Sequence, residues 1–143
     1  MHGDRAGQRA RRVLPRLVRK PWRHVAEAVA DLGPKPSDDA LHEVRIRAKR
    51  LRYACEAVTV AVGRPAQEFA RAAAGLQGVL GDFNDAVVAE EWLRQAAAAG
   101  QVDEALVAGQ LVAAERRAQA TCRAEWSTAW DALDRKRLRA WLD

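Results

Sequence analysis

Cysteine is nearly missing from this chain of 143 residues. Cys55 and Cys122 stand in Ala-rich surroundings without C-x-x-C spacing, which argues against a disulfide scaffold or a zinc site and leaves them as small core residues. Aromatics make up only 6%, and five Pro and nine Gly are too few for a loop-rich or low-complexity chain. No apolar run approaches the ~20 residues needed to cross a bilayer. The opening MHGDRAGQRARR has no apolar segment of a signal peptide, so a cytoplasmic protein is expected. There is no Gly-rich phosphate loop and no Ser or Cys nucleophile beside a His. These gaps point away from an enzyme, and no cofactor or metal is expected.

Ala, Leu, Val, Arg and Glu dominate what is there; 49% of residues are apolar and 30% charged, the composition of a folded helical domain. One domain is expected over 1–143. The net charge of +5 conceals an asymmetry, because residues 1–52 hold 14 Lys or Arg against 6 Asp or Glu, whereas residues 53–143 hold 10 against 13.

Breakers divide the chain into four helical stretches. GPKPSDDA (33–40) ends the first and offers Ser37, Asp38 or Asp39 to cap the second. VGRP (62–65) places Pro65 in the first turn of the third, and AAAAGQVDE (96–104) precedes a fourth that runs to the C-terminus. The connections are short, so the fold expected is all-α, an antiparallel up-and-down four-helix bundle.

On the second helix Leu41, Val44, Ala48, Leu51, Cys55 and Val58 share an arc of about 100° and form its core face. Its cations fall into two groups. Arg47 and Arg50 lie near Glu43, whereas His42, Arg45, Lys49 and Arg52, with Tyr53 beside them, form a stripe whose one acidic neighbour is Glu56. Crowded like charges cost about 0.2–0.5 kcal/mol per pair, so an anion should answer the stripe. On the first helix Arg5, Arg9, Arg12, Arg16, Arg19 and Arg23 stay within an arc of about 60° along roughly 27 Å. Pro15 should kink or break that helix near Leu14, and Pro21 should act similarly. The two stripes together predict an anion-binding groove.

LHEVRIRAKRLRY (41–53) resembles the signature of the CHAD domain, the conserved histidine α-helical domain. His42, Arg45, Ile46, Lys49, Arg50, Leu51, Arg52 and Tyr53 fill its pattern in order. LQGVLGDFNDAVVAEEWL (76–93) is similar to the family's companion helix through Leu76, Gln77, Leu80, Gly81, Asn84 and Asp85. The resemblance covers essentially the whole chain and is to the C-terminal four-helix half of a CHAD domain. It implies binding of inorganic polyphosphate in a basic channel and association with polyphosphate granules, without catalysis. The alternating Glu pattern of the triphosphatase tunnel often joined to such modules is absent. On this resemblance the chain is either a fragment of such a domain or a half-domain that completes its channel by pairing with another chain, and in the second case a homodimer whose basic faces meet is expected.

The residues expected to bind polyphosphate are His42, Arg45, Lys49, Arg52, Arg12, Arg16 and Arg19, supported by Tyr53, Asn84 and Asp85. Asp82, Asn84 and Asp85 either orient arginines or are ordinary surface polars. Gly75, Gly78 and Gly81 should admit another backbone, and Arg116, Arg123 and Arg137 either line the groove or face solvent. The tryptophans are expected in the core, because a linear polyphosphate has no bases to stack on them. As a phosphate contact His42 would be protonated more readily beside the anion. The alternatives are a nucleic-acid-binding helical protein and a basic module that docks an acidic protein.

Overall fold

The computed structural model describes the backbone of residues 2–143 and side chains from residue 6 onward, so the side chains of His2 and Arg5 lie outside it. Four long helices pack together: α1 (His2–Ala30), α2 (Asp38–Val62), α3 (Arg64–Ala99) and α4 (Val102–Leu133). A short α5 (Lys136–Arg139) and a 3-10 turn (Ala140–Leu142) follow. Among the described residues there is no strand, and no helix is long and apolar enough to cross a membrane.

The helix ends follow from local chemistry. Ser37 caps α2 by accepting from the Ala40 amide at 3.1 Å, and Asp38 and Asp39 place negative charge on the first turn. Gly63 closes α2 at φ 84°, ψ −142°, and its amide donates to the Thr59 carbonyl at 2.7 Å. Pro65 follows in the first turn of α3, as the sequence predicts. At the far end, Gln101 and Glu104 form a reciprocal capping box that opens α4.

Pro15 and Pro21 do not interrupt α1, which runs through both. The expected break is absent because this side of the helix is held by packing: Pro15, Val18 and Val25 are buried, with Leu14, Trp22 and Val29 against the core. The fourth helix does not run to the C-terminus either. It stops at Leu133, where the Asp134 amide donates to the Trp130 carbonyl, and the chain folds back to bury Leu142. There Trp141 meets Phe69 edge-on at 6.2 Å, and Trp22 lies 5.6 Å from both Phe69 and Trp130. Burying these rings offsets the loss of a continuous helix.

All six residues of the α2 core face are buried, as are Phe69, Ala73, Leu76, Leu80 and Phe83 of α3. Both cysteines are buried and free, and burial pushes the Cys55 thiol up to about 12. One aromatic expectation fails: Trp92 is 67% exposed, because α3 continues past the helices that cover its earlier turns. Glu90 ties α3 to α4 by accepting from Gln119, Arg94 and Arg116, and these donors hold its carboxyl down at about 2.

The two kinds of glycine predict opposite outcomes. Gly63→Ala should lower unfolding stability by about 1–3 kcal/mol, because φ is positive there. Gly75→Ala, in a helix interior with nothing within 4 Å of an added Cβ, should raise it by about 0.5–1 kcal/mol. Urea titrations followed by circular dichroism check both.

Candidate functional site

The basic stripe of α2 lies along its seam with α3. The His42 Nδ1–H donates to Asn84 Oδ1 at 2.9 Å, in the tautomer this pairing requires, and leaves Nε2 for another partner. One turn further along α2, the Arg45 guanidinium rests on the α3 backbone: a Cβ built at Gly81 would stand 3.6 Å from its Nε. Arg52 donates to Glu56 at 2.7 Å and to Gln77 at 3.3 Å, and its bond to Glu56 raises the Arg52 pKa. The partners descend α3 from Asn84 through Gly81 to Gln77 as the stripe climbs α2. The sequence spacing of 42, 45 and 52 thus becomes a spatial row.

Between these residues Lys49 is exposed, with Nζ 5.7 Å from the centre of the Tyr53 ring; the Arg52 guanidinium lies 5.8 Å from the same ring. Tyr53 is itself exposed and faces the cations without burying them. At the end of the row, Arg52, Glu56, Gln67 and Arg71 line a cavity of about 400 Å³. Arg71 adds a cation from α3 that sequence reasoning missed. It lies outside both basic stripes of the sequence, and the α2–α3 register brings it to the row.

Arg45 carries the most unusual feature of the seam. Its Nε is buried and has no hydrogen-bond partner among the described residues. Such a donor is costly unless something accepts from it. The neighbouring Arg47 is fully engaged, donating to Glu43 at 2.8 Å and to the His24 carbonyl at 3.0 Å, and it holds the Glu43 carboxyl below the usual range. The two flanks of α2 therefore face different helices: Arg47 and Arg50 face α1, with Glu43 paired to Arg47, whereas the stripe faces α3, with Glu56 paired to Arg52.

The arginine row of α1 does not meet the α2 stripe across one trough. Where α1 faces α2, the residues that line the gap are Lys20, Pro21, His24, Arg47 and Arg50, around a cavity of about 260 Å³. Arg12 and Arg16 are exposed and unpaired among the described residues. Arg19 is committed elsewhere, donating to the carbonyls of Leu142 and, at 2.8 Å, of Asp143. The helical phase that aligned these arginines with one another turned them away from α2.

Other expectations resolve individually. Asn84 orients the histidine and no arginine. Asp85 has no arginine partner among the described residues and lines a cavity with Asn84, Val88, Ala89 and Trp92, next to the His42 end of the row. An added Cβ at Gly75 or Gly78 meets nothing, so neither admits a backbone, whereas Gly81 admits the Arg45 side chain. Arg116 pairs with Glu90, and Arg123 binds Asp38 and the Pro36 carbonyl while its guanidinium stacks over Phe83. No cluster of three or more His, Cys, Asp or Glu able to hold a metal occurs among the described residues.

Comparison with known proteins gives two findings. A family model described as the CHAD domain matches residues 2–94. The uncharacterized proteins MT2285 and Rv2226 of two Mycobacterium tuberculosis strains are each 34% identical over 122 residues, covering 84% of this chain and 23% of theirs. The chain thus spans about a quarter of the length of these curated relatives. No solved structure matches.

The orphaned donor predicts a gain on its removal. Arg45→Met, which keeps the apolar stem, should raise unfolding stability by about 1 kcal/mol in urea, whereas Arg47→Met should lower it by a similar amount. A loss of stability in Arg45→Met would show that its Nε is satisfied in the folded protein.

Proposed function

This chain belongs to the CHAD domain family, and on that footing we propose that it binds inorganic polyphosphate along the α2–α3 seam, without catalysis of its own. The family is associated with polyphosphate binding. The observation that carries the reading is the row itself: His42, Arg45, Lys49 and Arg52 share one seam, with Glu56 as the acid that answers them. A linear polyanion supplies acceptors at repeated intervals, which is what a row of donors along a helix requires. Bidentate guanidinium contacts from Arg45 and Arg52, a point charge from Lys49 and the free Nε2 of His42 would grip successive phosphates. Asn84 fixes the histidine ring, Tyr53 flanks the row, and Arg71 extends it.

Arg12 and Arg16 form a second cationic strip that a longer chain of phosphates would reach after leaving the seam. Arg19 adds charge to that strip while its donors hold the C-terminus. In this reading the molecule is one half-domain with an antiparallel up-and-down topology, which the short connections between helices support. Two copies would bring their basic faces together around the ligand, completing a channel. A cytoplasmic protein associated with polyphosphate granules follows from the same chemistry.

Labelled polyphosphate titrated at several salt concentrations tests the assignment. Replacing Arg45 and Lys49 together by Ala should weaken binding by at least about tenfold and reduce the salt slope by about 1–2. Replacing Arg47 and Arg50, on the opposite flank, should change affinity by less than about threefold. Equal losses in the two pairs would remove the seam as the site.

A further inference from the structure

The far ends of α3 and α4 carry a surface that polyphosphate binding does not use. His42 near the start of α2 meets Asn84, and Arg123 reaches back to Pro36 and Asp38. Beyond these positions α3 and α4 continue as a hairpin, from about residue 88 to residue 118, without α2 beside it. The hairpin exposes Val88, Trp92, Leu106, Val107 and Leu111. Leu93, Val107, Ala108 and Leu111 line a groove of about 400 Å³ there, with Asp103 and Glu104 at its rim. An apolar groove with acidic residues in its lining, on a hairpin that also exposes a tryptophan, is the pattern of a contact surface.

The complementary surface is on α1. Val13 and Leu17, one turn apart, are 48% and 58% exposed. Residues 6–24 around them hold seven Arg or Lys and no acid, whereas residues 88–118 of the hairpin hold five Asp or Glu against three Arg. The two surfaces lie at opposite ends of one molecule. His24 bonds Arg47, and Lys20 shares a cavity with Arg50, so lower-numbered residues of α1 lie toward the end of α2. The hairpin departs from the beginning of α2. A chain therefore cannot cover its own groove.

We propose that the α3–α4 hairpin is a self-association surface that takes α1 of a second copy. Val13 and Leu17 enter the groove while Arg16 and Lys20 face Asp103 and Glu104. Two chains lying side by side in opposite directions make this contact twice about one two-fold axis, which doubles the buried area and leaves no open end. Opposite charges meet in this pair, so it needs no polyanion to form, unlike a pair in which two basic faces approach one another.

Sedimentation velocity without polyphosphate, over micromolar concentrations, tests it. The unsubstituted protein should be a dimer, and Leu17→Glu should raise its dissociation constant by at least about tenfold. Asp103→Lys and Lys20→Glu should each weaken the dimer, and combining them should recover it; these exposed sites keep the test independent of whether Trp92→Glu folds. A strict monomer would overturn the proposal, as would a dimer indifferent to Leu17→Glu, a charge swap without recovery, or a dimer seen only with polyphosphate. The Leu17→Glu protein should still bind a polyphosphate too short to leave the seam within about threefold of the original affinity, since the α2–α3 residues are untouched. Loss of polyphosphate binding with an intact dimer would instead count against the α2–α3 site alone.

Discussion

A row of cations held on one flank of α2, where the protein supplies few acids to answer it, is the constraint around which this molecule is arranged. Repulsion between neighbours on a helix is small per pair, yet it accumulates along His42, Arg45, Lys49 and Arg52. Burying the Arg45 Nε without an acceptor adds a larger cost at one point. Neither cost is relieved by rotating α2, because its apolar face is locked by Leu41, Val44, Ala48, Leu51, Cys55 and Val58, all buried. The packing that stabilises the bundle thus fixes the direction in which the cations point.

The rest of the fold supports that arrangement. Companion groups on α3 orient the row without neutralising it: a neutral amide holds His42, the bare backbone at Gly81 accommodates Arg45, and a second neutral amide accepts from Arg52. Carboxylates are used where charge must be cancelled, at Glu43 beside Arg47 and at Glu90 between the two helices of the hairpin. At the seam Glu56 is the one carboxylate paired with the row among the described residues, which leaves the row with an excess of positive charge. Polyphosphate suits it because the ligand is linear, densely charged and without bases to stack.

Much of this could be read in the sequence, and the failures share one cause. Periodicity located the core face of α2, the glycine and proline breakers located the helix ends, and the spacing of 42, 45, 49 and 52 located the row. These are properties of one helix at a time. The relation between helices was not legible: α1 packs against the Arg47 flank of α2 and not against the stripe, and Arg71 comes to the row from α3. Pro15 and Pro21 misled because local propensity speaks against a helix that tertiary packing maintains. Trp92 misled for the opposite reason, since a large aromatic on an apolar face belongs in a core only if another element reaches that far.

A direct competition decides the central claim. Polyphosphate, single-stranded DNA and heparin, matched in charge, should be ranked against one labelled polyphosphate probe at a single physiological salt concentration. Polyphosphate should displace the probe most strongly, because it is densely charged and carries no bases or sugars to accommodate. If single-stranded DNA wins at equal charge, the row on α2 is a nucleic-acid contact and the account is wrong.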